Sequence, residues 1–228
     1  MELCIALDLP SAKENLTLLE KISSIENLWI KVGFRSFIRD GKEFLQNIKK
    51  INPSFKIFLD LKLYDIPNTM ADAAQEIAAL DIDMFNIHAS SGKKAMQTVM
   101  ERLNKLPKRP LVLGVTALTS FSNKEFFAIY HQNINEAVIQ FAKSCYEAKL
   151  DGVVCSVFES KIIKENTNNN FVTLTPGIRP FNEDANDQKR VANVTLAKEN
   201  LSDIIVVGRP IYQDPNPLEK VKAILHNL

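Results

Sequence analysis

Cysteine is scarce in this chain. The three present, Cys4, Cys145 and Cys155, sit in apolar runs and form no Cys-x-x-Cys pair. An odd count without a spacing framework excludes a disulfide scaffold and points to reduced thiols, hence a cytoplasmic location. The three histidines are scattered, and no His/Cys/Asp cluster has metal-ligand spacing. Charge of one sign is missing as well. Lys and Arg number 28 against 27 Asp and Glu, a net charge of +1. No global field draws such a chain to nucleic acid or to a membrane, so any anion site must be local. No apolar run is long enough to span a bilayer. The N-terminus reads Met-Glu-Leu-Cys-Ile-Ala-Leu-Asp; it lacks a basic region and breaks its apolar run at Asp8, as a strand does and a signal peptide does not. Gly-x-Gly-x-x-Gly and P-loop motifs are absent, and so is a Gly-x-Ser-x-Gly elbow.

What is present is an ordinary globular composition, 46% hydrophobic and 24% charged over 228 residues. That suffices for one α/β domain spanning residues 1–228, with no linker or charge block to divide it. Short runs rich in Val, Ile, Leu and Phe fall at 3–8, 28–34, 56–62, 84–89, 111–117, 152–156, 171–175 and 204–208. They have the composition of strands buried on both faces. Helical periodicity fills the gaps at 12–22, 36–51, 69–80, 93–106, 135–149, 159–166, 195–200 and 217–228. In the third of these, Met70, Ala73, Ala74, Ile77 and Leu80 mark the buried face. Ser11, with Glu14 three residues on, has the form of an N-cap.

Eight strands alternating with helices pair in parallel through right-handed crossovers. An open doubly wound sheet fits that alternation too. The count of eight favours a closed, single-domain (β/α)8 TIM barrel. So do the polar residues at strand C-terminal ends: Asp8, Lys31, Asp60, Lys62, His88, Thr116 and Arg209. In a barrel those ends converge on one mouth, where active sites of this fold lie. Two segments, 119–133 and 179–190, show no clear structure; the second is polar and charged and has the character of a mobile lid.

The most informative stretch is Lys56-Ile-Phe-Leu-Asp-Leu-Lys-Leu-Tyr-Asp65. Alternation along a strand puts Asp60 and Lys62 on one face and Leu59, Leu61 and Leu63 on the other. The outer face of a barrel packs on helices, so the charged pair points inward. Asp65 follows in the turn, and Lys31 ends the neighbouring strand. Two lysines and two aspartates then form one alternating array, because buried charges must compensate one another. The alternative is a structural ion-pair network that pins the barrel. Its position at the C-terminal ends of the strands favours a site.

Asp60-Leu-Lys-Leu-Tyr-Asp-Ile-Pro-Asn-Thr69 resembles the signature of the orotidine 5'-monophosphate decarboxylase family. Lys31-Val-Gly, His88-Ala-Ser-Ser-Gly92, Thr175-Pro-Gly-Ile-Arg-Pro180, Asp187-Gln-Lys-Arg190 and Val207-Gly-Arg-Pro210 are similar to that family's motifs in order and approximate spacing. Ser91 and Asn200 stand where the family often has Gly. The resemblance implies a dimeric enzyme that removes CO2 from a pyrimidine nucleotide without metal or cofactor. It implies Lys31, Asp60, Lys62 and Asp65 as a catalytic tetrad, with Lys62 donating the proton to C6. Asp65, with Ile66 and Thr69, would cross into the partner's site, and Asp8 would bind the ribose. Thr119 matches a position near the pyrimidine, with Ser120 a close rival and turn capping an alternative for both.

The resemblance also implies a phosphate grip made of Arg179, Gln188, Gly208 and Arg209. Its spacing makes sense independently. A glycine ending the last strand lets the backbone approach an oxyanion, and arginine offers a planar fork. The loops after strands seven and eight are the usual phosphate site of such barrels. The lid at 181–189 would close over the bound phosphate.

His88 is left off the catalytic set, and Tyr64 and Trp29 read as packing on the apolar side or at an interface. Two other readings remain. One is a magnesium-dependent phosphosugar enzyme of the same superfamily, which shares Asp-x-Lys-x-x-Asp but carries an acidic residue where this chain has Lys31. The other is a lapsed enzyme that only binds phosphorylated ligands.

Overall fold

The computed structural model describes residues 1–181 and 190–228. Eight parallel strands close into a barrel in chain order. They are β1 (Glu2–Ala6), β2 (Trp29–Gly33), β3 (Lys56–Leu63), β4 (Met84–His88), β5 (Leu111–Val115), β6 (Gly152–Val154), β7 (Val172–Thr175) and β8 (Ile204–Val207). Around them run α1 (Ala12–Lys21), α2 (Phe34–Ile51), α3 (Pro67–Ala78), α4 (Lys93–Leu103), α5 (Asn123–Tyr130), α6 (Ile134–Glu147), α7 (Val157–Asn166), α8 (Val194–Glu199), the single turn α9 (Arg209–Tyr212) and α10 (Pro217–His226).

Strand alternation divides the apolar residues into two cores. One set of side chains, including Ile5, Ile30, Ile57, Phe85 and Val207, packs outward against the helices. The other, including Cys4, Trp29, Phe58, Met84, Leu113 and Val206, fills the barrel interior. Layered inward packing of this kind makes the barrel a solid core rather than a pore. Trp29 belongs to the interior and does not face the apolar outside or an interface, because it shares a face of β2 with Lys31. Its indole N–H donates to Glu2 (3.0 Å), whose carboxylate also accepts Lys56 Nζ (2.8 Å). Lys56 in turn lies 5.1 Å from the Trp29 ring centroid. This cluster closes the barrel floor.

Most strands end a residue or more before the apolar pattern does; β5, expected over 111–117, leaves the ladder after Val115. Asp8 and Arg209 lie beyond the ladders, whereas Lys31, Asp60 and His88 are still paired within them. The segment 119–133, expected to lack structure, contains α5. Only Phe126 of that short helix is buried, so its periodicity is faint. Its start was nonetheless written in Ser122-Asn-Lys-Glu125, a reciprocal capping box. Gly41, at φ +61°, kinks α2.

The crossing from β6 to β7 leaves no room for a side chain at Gly152, where a Cβ would sit 2.1 Å from the Val172 carbonyl oxygen. Gly152→Ala is expected to cost about 1–3 kcal/mol through a backbone displacement, a fall of roughly 2–12 °C in Tm. An unchanged thermal midpoint would show that the two strands part freely.

Candidate active site

The mouth is built from strand ends. Lys31 Nζ, on β2, lies 3.4 Å from Asp8 Oδ1 and 3.5 Å from Asp60 Oδ2. Lys62 Nζ approaches the other oxygen of Asp60 at 2.5 Å. The charges therefore alternate Asp8, Lys31, Asp60, Lys62 across three adjacent strand ends. Gly33 makes space for this, since a Cβ there would come within 3.1 Å of the Lys31 ammonium.

The side chains of Lys31 and Asp60 are each 13% exposed. Burial opposes ionisation of Asp60, but the charges of Lys31 and Lys62 and hydrogen bonds from Lys62 and Asn86 outweigh it. Its carboxyl is held below the ordinary aspartate value. Burial likewise works against the Lys31 ammonium, and the charges of Asp60 and Asp8 reverse that, raising its pKa.

Lys62 occupies an unusual backbone position. The register between β3 and β4 shifts between Leu59 and Leu63, and Lys62 has φ +50°, a region non-glycine residues seldom visit. Its N–H, displaced from the ladder, donates to Asn86 Oδ1 (2.7 Å), while Asn86 Nδ2 donates to Asp60 Oδ1 (2.7 Å). Asn86 is fully buried on β4. Nothing in its sequence context marks it as a site residue.

Asp65 does not join this array within the chain. It is exposed, and its Oδ1 accepts the Ile66 N–H at 2.7 Å. The fourth member is Asp8, because the chain turns outward after Leu63 and carries Asp65 to the rim. Ile66 and Thr69 are exposed beside it. Tyr64 is exposed too, its ring centroid 5.5 Å from that of His88. His88 is half-buried, with its pKa lowered by burial and by Lys62, and it is not among the residues lining the cavity.

The array borders a cavity of about 300 Å³. Phe58, Val115, Val154, Leu174 and Val206 give it an apolar floor, and Arg179, Gly208, Arg209, Thr119 and Ser120 complete its lining. Both hydroxyl residues named as rivals therefore reach it. Arg179 is buried, with its backbone N–H donating to Ala192 O at 2.8 Å. Gln188 and nearly all of the expected lid lie outside the described residues. Just beyond them, Arg190 pairs with Glu159 and donates to Leu118 O (3.4 Å). Glu159 also accepts the Ser156 N–H at 2.8 Å. Burial raises the Glu159 pKa despite this pairing. Neither residue was singled out as a site from sequence. Among the described residues no group of three or more His, Cys, Asp or Glu gathers as a metal site.

A parallel barrel with fixed alternating charges on one side of its mouth and two arginines after strands seven and eight defines a class, the barrel enzymes that work on small phosphorylated ligands. Within it, the chain belongs to the orotidine 5'-phosphate decarboxylase / HUMPS family, whose sequence model matches residues 1–224. It is 64% identical to the orotidine 5'-phosphate decarboxylase of a Nitratiruptor species, with both chains covered in full. Its identity to the Campylobacter jejuni subsp. doylei protein of the same name is 61%, again over the whole of both chains. Among solved structures, the orotidine 5'-phosphate decarboxylase of Lactobacillus acidophilus is similar at a TM-score of 0.86 and 32% identity, over 99% of this chain and 98% of the other.

The charge array gives a pH-dependent expectation. The pKa of Asp60 is depressed, so its stabilising contribution is present above the unfolded value of about 3.9 and is lost as pH falls through the folded one. The pKa of Lys31 is raised, so its contribution is complete below about 10.4 and is lost only as pH rises through the folded value. Lys31→Met leaves Asp60 with one ammonium and is expected to destabilise the fold by about 1–3 kcal/mol at pH 7. Urea unfolding should show that penalty shrinking by pH 4, as Asp60 of the variant takes up a proton. A penalty equal at both pH values would contradict the electrostatic account.

Proposed function

We propose that this chain converts orotidine 5'-monophosphate to uridine 5'-monophosphate, a carboxy-lyase step of pyrimidine biosynthesis carried out without metal or cofactor. The observation that carries the reading is the Asp60–Lys62 pair, 2.5 Å apart, in a cavity that Arg179 and Arg209 also line. Cleavage of the C6–carboxylate bond leaves its electron pair on C6, where the pyrimidine ring stabilises it poorly. The Lys62 ammonium supplies the positive charge and then the proton that forms the C6–H bond. CO2 leaves, and Lys62 is reprotonated from solvent. Charge fixed in advance near the developing anion is often the largest catalytic term available.

In this reading Asp60 faces the departing carboxylate, Lys31 holds Asp60 and Asp8 in place, and Asp8 and Lys31 bind the ribose. Arg179, Gln188, Gly208 and Arg209 grip the phosphate, and Thr119 or Ser120 meets the pyrimidine. The working form is a homodimer in the cytoplasm. Asp65, Ile66 and Thr69 complete the partner's site. Their exposure supports this, together with that of Phe34, Ile38 and Tyr64 on the neighbouring elements.

The magnesium-dependent alternative fits the donor set poorly, because the position between Asp8 and Asp60 is taken by an ammonium. An ultraviolet assay with orotidine monophosphate decides between them. Loss of the substrate absorbance, insensitive to EDTA, is expected. Lys62→Ala should abolish turnover while the protein still folds and binds uridine monophosphate; substantial residual decarboxylation in that variant would overturn the assignment. Arg209→Ala should lower kcat/KM for the nucleotide by about 10–150-fold, the worth of a charge-assisted phosphate contact. The phosphate-free nucleoside should be nearly unaffected, and an equal loss for both substrates would remove Arg209 from the phosphate grip.

A further inference from the structure

We infer that Asn86 is a positioning residue for this chemistry, holding the proton donor and its aspartate partner in register through one side-chain amide. The inference rests on the decarboxylation reading above and adds a residue to it. Asn86 sits in the middle of β4, between Phe85 and Ile87, which pack outward against the helices. Strand alternation therefore turns it into the barrel with Met84 and His88. It is 0% exposed, and a buried amide is tolerated only when its donor and acceptor are both used.

Both are used on the site. Asn86 Oδ1 accepts the Lys62 N–H, and Asn86 Nδ2 donates a hydrogen bond to the same Asp60 oxygen that accepts from the Lys62 ammonium. The result is a closed ring: Lys62 backbone to Asn86, Asn86 to Asp60, and Asp60 to Lys62 Nζ. This ring answers a specific problem. The register shift at the end of β3 and the left-handed φ of Lys62 leave a strand N–H without a ladder partner. Such a conformation persists only where its surroundings over-determine it.

The chemistry selects the residue type. A carboxamide offers one acceptor and one donor on a short, uncharged stem. An apolar residue would leave the Lys62 N–H and the Asp60 oxygen unanswered. A carboxylate would accept from Lys62 but confront Asp60 with a second negative charge. Lys62 released from the ring relaxes toward ordinary strand backbone and carries its ammonium away from C6. A displacement of about 1 Å at a reacting group is worth on the order of 100-fold in rate.

The test uses Asn86→Ala and Asn86→Asp in the full-length enzyme. Asn86→Ala is expected to lower kcat about 10–100-fold, with KM for orotidine monophosphate and Kd for uridine monophosphate within about threefold of wild type. Asn86→Asp carries the sharper signature. Its carboxyl, when protonated, has the O–H donor and C=O acceptor of the amide it replaces. Beside the ionised Asp60 that proton is retained to higher pH than usual. The variant's kcat relative to wild type should therefore rise as pH falls and collapse as pH rises.

The charged groups facing position 86 are Asp60 and Lys62 on β3, with Lys31 behind Asp60 and His88 further along β4. From β5, Leu113 pairs with Asn86 in the ladder and Val115 with His88, so that side brings no charge. The Asn86→Ala profile, which keeps His88 but has no carboxyl at position 86, is the control for the titration of His88. A ratio flat with pH for Asn86→Asp, near wild-type kcat for Asn86→Ala, or an equal loss of turnover and product binding would each overturn the inference. Absence of decarboxylation in the wild-type enzyme would instead overturn the functional reading.

Discussion

Asp60 is the point on which the mouth of this barrel is organised. Its carboxylate sits in the barrel interior, where an uncompensated charge is costly. Each compensating group comes from a different strand or a different part of its own. Lys31 reaches it from β2, Lys62 from the irregular end of β3 and Asn86 from β4, while Asp8 beyond β1 balances Lys31. Barrel closure and site assembly are thus one event. The strands cannot take this register without bringing the charges together, and the charges tolerate burial only in this register. Groups held this way need no reorganisation as charge develops on a substrate, which is what makes fixed electrostatics effective.

The remaining strands contribute the rest of the cavity lining. Between the charge array and the arginines lies an apolar floor that continues directly into the barrel core through Phe58, Val115, Leu174 and Val206. Low polarity beneath the cavity strengthens every charge interaction above it. The Trp29–Glu2–Lys56 cluster closes the far end of the same core. The polar residues of the interior therefore gather at its two ends, one end sealed and the other open to ligand.

Much of this was legible in the sequence, and what was not has a common cause. The eightfold alternation of strands and helices foretold the barrel, because periodicity is carried locally. The inward direction of Asp60 and Lys62 followed from the leucines between and beside them. Contacts that depend on register across strands were hidden. Asp8 rather than Asp65 balances Lys31, a Cβ at Gly33 would press on the Lys31 ammonium, and Asn86 bonds to a residue 24 positions away. Trp29 could have been placed inside from its spacing to Lys31 alone. The helix α5 escaped because a weak apolar stripe hid behind a clear cap. Where sequence supplied the tetrad, it did so through family resemblance, and one of its four residues turns away from the array in a single chain.

That outward turn of Asp65 bears on why the point between Asp8 and Asp60 suits a lysine better than a divalent ion. Lys31 Nζ stands 3.4 and 3.5 Å from its two carboxylates, whereas a divalent magnesium or calcium ion would draw carboxylate oxygens to about 2.0–2.6 Å. The same point is flanked by Lys62 on the far side of Asp60, so a cation placed there would meet two ammonium groups with only two carboxylates to balance them. The third carboxylate that would shift that balance, Asp65, is carried by the backbone to the rim. The net effect is a site whose positive charge is covalently tethered. In the proposed reaction Lys31 holds the two carboxylates in place, and Lys62, on the other side of Asp60, gives the proton to C6.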